Sequence, residues 1–125
     1  MAFTAAATSA SSTWNSGTLV SNVVISNVGN GYNKSAGVFT APFPGTYVFY
    51  VSANEYSAQG LGLDIVLNNV PKARLLASNS ASNQTGTNVV VLVLQKGDKV
   101  WVNHFHGKGF WTQTVSLTTF TGFRI

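Results

Sequence analysis

The side chains best suited to proton transfer or metal binding are few: three acids, Glu55, Asp64 and Asp98, and two histidines, His104 and His106. No cysteine is present, so thiolate chemistry and disulfides are both excluded. The acids are far apart in sequence and form no pair of carboxylates. A nucleophile elbow, a phosphate-cradling glycine loop and a HExxH motif are all missing. Asp98 lies in "KGDKV", where a carboxylate commonly caps the backbone of a turn. His104 and His106 stand two apart on a β-prone run, which predicts that they share a strand face. Imidazoles so spaced can hold a zinc ion. Val100 and Val102 precede them on that face, however, which points His104 at the core and leaves His106 the more accessible. This inventory describes a binding protein and not an enzyme.

The densest cluster of binding chemistry is "HFHGKGFW", residues 104–111, with five ring-bearing side chains and a lysine around two glycines. Phe110 and Trp111 could present their rings to the apolar side of a sugar, with His106 and Lys108 as polar partners. The same rings could instead plug the end of a β-sandwich. Trp14, in the polar "SSTWNSG", poses the same choice. Lys72 and Arg74 alternate onto one strand face and suit either an anionic ligand or plain solvation. "NKS" at Asn33 and "NQT" at Asn83 are glycan acceptors if the chain passes through a secretory pathway, Asn83 being the more accessible.

The elements that must carry these residues are strands. Charged residues make up 8% of the 125 positions, while Ser, Thr and Asn fill 38. These neutral polar side chains compete with helical hydrogen bonds and suit turns and strands. β-prone runs fall at 3–7, 18–25, 37–41, 46–53, 61–67, 73–77, 88–94, 99–105 and 115–125, with Gly, Pro and Asn clusters between them. Residues 78–87 read as the longest mobile loop. No window carries a sustained helical stripe. The pattern predicts one all-β domain over 1–125, a jelly-roll sandwich. The net charge of +4 comes from scattered basic residues, which indicates no nucleic-acid channel. No apolar run is long enough for a membrane span. One run is apolar on both faces: Val89, Val91 and Val93 on one, Val90, Leu92 and Leu94 on the other. A half-exposed antiparallel strand would alternate apolar with polar, so this strand predicts self-association.

The stretch 27–49 also resembles a family signature. Asn27, Tyr32, Phe39 and Gly45-x-Tyr47-x-Phe49 stand at the spacing found in the complement 1q globular-head domain. "AFTA" at 2–5, "GVFTAP" at 37–42, "KGDKVWV" at 96–102 and "FTGF" at 120–123 agree in order along nearly the whole chain. Two positions depart, Ser21 and Val51, where the family usually has aromatics. The resemblance implies a ten-stranded, tumour-necrosis-factor-like jelly roll, a compact homotrimer and secretion. Because "AFTA" follows Met1 directly, the domain is expected to begin without a collagen-like stalk. No cofactor is required by this reading. Calcium, which recurs in the family near the trimer axis, is possible, with three-fold repetition of Glu55 or Asp64 as the only source of carboxylates. The expected function is a lectin-like recognition module for carbohydrate or microbial surface patterns, of the kind innate immunity uses. A cytokine-like or scaffold trimer that binds a protein receptor is the alternative.

Overall fold

A computed structural model describes all residues 1–125. Ten strands and no helix make up the chain: β1 Ala2–Ala6, β2 Val23–Val28, β3 Tyr32–Asn33, β4 Val38–Thr40, β5 Gly45–Asn54, β6 Leu61–Leu67, β7 Val70–Ala77, β8 Thr85–Leu94, β9 Lys99–Gly107 and β10 Thr119–Arg124. They pair into two five-stranded antiparallel sheets, β2-β1-β10-β5-β8 and β3-β4-β9-β6-β7. The jelly-roll sandwich expected from the strand pattern is therefore the fold.

Period-two alternation along β5 decides how the first sheet sits. Tyr47, Phe49, Val51 and Ala53 are buried between the sheets, while Thr46, Val48, Tyr50 and Ser52 face outward. Phe3, Phe39, Phe49 and Phe120 join Tyr32 and Tyr47 in one aromatic cluster, with Phe3 stacked on Tyr32 at 4.7 Å and on Phe39 at 5.2 Å between ring centroids. This packing needs Gly122, directly opposite Phe49 in the ladder. A Cβ there would lie 2.6 Å from the Phe3 ring and 2.7 Å from that of Phe49.

The signature residues are joined to one another by hydrogen bonds as well as by packing. Asn27 Nδ2 donates to the Tyr32 carbonyl at 2.9 Å, and Asn27 Oδ1 accepts from the Tyr32 amide, which fixes the β2–β3 loop. The Tyr32 hydroxyl donates to the carbonyl of buried Ser21 at 2.6 Å. Ser21 thus serves the core through its backbone where the family has a ring. Val51, the second departure, is simply a smaller core residue.

Burial pushes the Tyr32 phenol up to about 12. The folded state keeps this proton where an unfolded tyrosine, near pH 10, would release it. The stability linked to it is complete below pH 10 and is lost as pH rises toward 12. Tyr32→Phe should flatten that alkaline loss in denaturant melts taken from pH 9 to 12. It should cost about 1 kcal/mol near neutrality, because the Ser21 carbonyl loses its donor. Parallel alkaline slopes for parent and variant would contradict this.

Four sequence expectations are corrected. The strand expected at 18–25 starts only at Val23, because residues 17–19 add to β9 instead: the Leu19 amide donates to Val102 and the His104 amide to Gly17. The final strand is Thr119–Arg124 and not 115–125, since the Leu117 amide is capped by the Thr112 hydroxyl in a turn. The loop expected over 78–87 ends at 84, where β8 begins, and Glu55 holds its far end. Finally, His104 and His106 do not share a face. The ladder pairs Leu63 with His104 but Gly62 with His106, so a bulge at Phe105 resets the alternation. His104 follows Leu63 to the core side, and His106 emerges on the outer face with Gly62.

Candidate functional site

Two ends of the chain meet at one edge of the sandwich. Ser11 and Phe110 exchange backbone hydrogen bonds at 3.0 and 2.8 Å, and the Trp111 amide donates to Asn54 at 2.8 Å. This short extended segment places consecutive rings on opposite sides. Phe110 points inward, is buried, and meets Trp14 edge-on at 5.8 Å. Trp111 points outward, half-buried, with its ring 6.1 Å from that of Tyr56. The sequence left plug and platform open for both rings. The structure gives the plug to Phe110 and leaves only Trp111 in contact with solvent.

Trp111 lines a groove of about 680 Å³ between residues 8–10 and 112–115. Its walls are hydroxyl and amide side chains, Thr8, Ser9, Gln113 and Thr114, and no charged residue borders it. The outer wall is held by two threonines: Thr112 Oγ1 accepts from the Leu117 amide, and Thr118 Oγ1 donates to the Trp111 carbonyl at 2.7 Å. The Trp111 indole N–H is shielded from solvent and has no acceptor in the chain. Buried indole N–H groups usually find one. A neutral groove with a ring in its wall and hydroxyls around it can hold a small polyol-like ligand and can do no acid–base chemistry.

The other candidates are dispersed. Trp14 is half-buried over the core, edge-on to His104 at 5.2 Å, and its turn is held by Ser11 Oγ. His104 makes a 2.6 Å hydrogen bond through Nε2 to the Gly107 carbonyl. His106 lines a separate hollow with Leu76, Ser78 and Asn79, and Lys108 is exposed on the loop between these features. Lys72 and Arg74 border one shallow depression, but the Arg74 guanidinium is committed to Asp64 by two hydrogen bonds of 2.6 and 2.9 Å. It also lies 3.4 Å over the Phe105 ring. This leaves Lys72 as the cation free to meet an anion there.

The calcium candidates have other work. Glu55 is fully buried, and its carboxylate accepts from the backbone amides of Gly60, Asn83 and Gln84, tying two loops together. Asp64 is buried under Arg74. Within one chain, no three His, Asp or Glu side chains come together. Asp98 caps its turn as the sequence suggests, and hydrogen bonds from the Gln95 amide and the Asn68 side chain hold its carboxyl below the usual range. Both sequon asparagines, Asn33 and Asn83, are exposed.

Outside this end, the first sheet presents the apolar face that the sequence anticipated. Val89, Val91 and Val93 are 53%, 59% and 73% exposed. The ladder extends the patch across five strands through Val48, Phe123, Ala2 and Val28.

Comparison with known proteins agrees with this geometry. A family model for the C1q domain matches residues 2–125. The chain is 30% identical over 112 residues to mouse (Mus musculus) complement C1q tumor necrosis factor-related protein 2, covering 82% of this chain and 35% of that protein. It is 32% identical over 90 residues to mouse complement C1q tumor necrosis factor-related protein 7, covering 70% and 30%. The chain thus spans about a third of the length of these relatives. Among solved structures, the globular domain of zebrafish complement 1qA superposes with a TM-score of 0.81 at 25% identity, over 99% of this chain and 96% of that one. The Eiger tumour necrosis factor of S. frugiperda superposes at 0.76 with 10% identity, over 100% and 92%, a likeness of fold alone. A matched family model from end to end, a jelly roll shared with a C1q head and the hydrogen-bonded signature around Asn27 and Tyr32 converge: this chain belongs to the C1q domain family.

Proposed function

We propose that this chain is a secreted, trimeric, lectin-like recognition module that binds neutral saccharide in the Trp111 groove at one end of each sandwich. The observation that carries the reading is the groove itself, an indole wall ringed by hydroxyls and an amide, free of charge. Sugars offer apolar C–H faces to rings and hydroxyls to such partners. The exposed valine row of β8 supports the trimer, because closed symmetric assembly is the usual way to cover a patch of this kind. Three linked grooves would raise weak single-site binding by roughly 10²–10⁴.

Sedimentation equilibrium should give about three times the 13.2 kDa chain mass. On a glycan array, Trp111→Phe, which replaces the broad indole wall with a smaller ring, and Gln113→Ala, an exposed change expected to shift stability by less than about 0.5 kcal/mol, should each weaken saturable binding about ten-fold. Folded trimeric variants that bind like the parent overturn the site. A monomer at micromolar concentration overturns the assembly. Binding that resists millimolar sugar and follows a protein partner would replace the lectin reading with a receptor-binding one.

A further inference from the structure

We propose that the outer face of the second sheet carries an independent groove, centred on Trp101, for an anionic sugar. The groove holds about 510 Å³. Its floor follows the ladder, with Trp101 lying between Val38 of β4 and Val66 of β6. Val100 and Val102 point into the core, so Trp101 must point out. It is half-buried and lines the groove.

The amide groups that line the groove around this ring are free. Asn27, Asn33, Asn54, Asn68 and Asn88 all commit their side chains to nearby backbone or to a turn. Asn69 and Asn103, with Thr18, line the groove and make no side-chain hydrogen bond within the protein. Lys99 completes the rim. Its ammonium has no carboxylate partner, since the ion pair of the chain joins Arg74 to Asp64, and it touches only the Thr40 hydroxyl at 3.3 Å. The groove itself contains no acid. An indole, two amides, a hydroxyl and one unpaired cation match a pyranose ring bearing one carboxylate or sulfate.

The rim is preorganised. Asn68 and Asn69, both left-handed (φ 47° and 70°), form the two-residue turn between β6 and β7. Asn68 accepts from the Lys99 amide at 2.9 Å and donates to Asp98 at 3.0 Å, pinning this turn to the one before β9. Asn69 and Lys99 are thereby held on one side of Trp101 before any ligand arrives. The face also lies on the sheet opposite the valine patch, so self-association through that patch leaves it open.

The test uses the whole chain and the Trp101 indole ¹⁵N–¹H resonance, titrated with lactose, 3′-sialyllactose and 3′-sulfolactose. Saturable shifts are expected with one or both anionic probes, the two distinguishing carboxylate from sulfate, and about ten-fold weaker shifts with lactose. Lys99→Gln should remove most of that preference and its salt dependence. Asn69→Gly, which keeps the left-handed turn, should weaken binding several-fold, while Trp111→Phe should leave it unchanged. Equal shifts with all three sugars, an unchanged anion preference in Lys99→Gln, or no saturable shift at 20 mM each overturn the proposal. Because the Trp111 groove is read with separate variants and neutral sugar, either site can fail without the other.

Discussion

Phe49→Ala should lower stability by about 3–5 kcal/mol, the range for removing a core aromatic whose site cannot collapse. Collapse is prevented by what surrounds the ring. Phe49 is completely buried, with Phe39 at 5.5 Å, Phe120 at 6.1 Å and Tyr47 at 6.2 Å between centroids, and the backbone of Gly122 beneath it. These neighbours come from β4, β10 and β5 of two hydrogen-bonded sheets, so none can move in without breaking a ladder. The melting temperature should drop by roughly 10–20 °C. The measurement belongs at low protein concentration, where self-association does not mask the loss by mass action. An unchanged melt under those conditions would remove Phe49 from the core. Phe49→Leu, which keeps most of the volume, should cost about 1.5 kcal/mol.

A comparable loss, about 3–5 kcal/mol, is expected for Glu55→Ala, by a different mechanism. Its carboxylate takes the amides of Gly60, Asn83 and Gln84, and removing it leaves two or three sheltered donors without a charged acceptor. Relief from burying a charge offsets part of this. Glu55→Gln is not a repair, because the side-chain NH₂ would face N–H donors where Oε1 or Oε2 now accepts. The distinguishing readout is local: amide exchange at Gly60, Asn83 and Gln84 should accelerate well beyond that of β5 and β10. Uniform acceleration across the sheets, or none at all, would contradict the role given to Glu55 as the tie between the 56–60 and 78–84 loops.

The two variants also show which kind of feature a sequence reveals. Phe49 could be placed in the core directly, because strand alternation is a local property and β5 repeats it without a break from Tyr47 to Ala53. Glu55 could not. Its partners are five, 28 and 29 residues away, and only folding brings two loops against one carboxylate. The same distinction separates the histidines. Spacing alone sets His104 and His106 on one face, and a single bulge, fixed by β6 pairing across from them, parts them. Arg74 looked like a free cation because Asp64, ten residues earlier, becomes its neighbour only through the β6–β7 ladder. Trp101 was readable as an outward ring from Val100 and Val102 on either side of it. Its free partners at Thr18 and Asn69 were not.

Read alone, the order of residues specifies the all-β class, the core face of β5, the doubly apolar β8 with its row of valines and, through the signature from Asn27 to Phe49, the family. All of these rest on period-two patterns, turn residues and fixed spacings, which act over a few residues. Only the folded chain shows that Phe110 plugs the sandwich while Trp111 lines a groove, that Glu55 and Asp64 are spent on structure, and that unpaired amides gather around Trp101. Each of these depends on which strand lies beside which and in what register, and hydrogen-bonded pairing across long sequence separations carries that information.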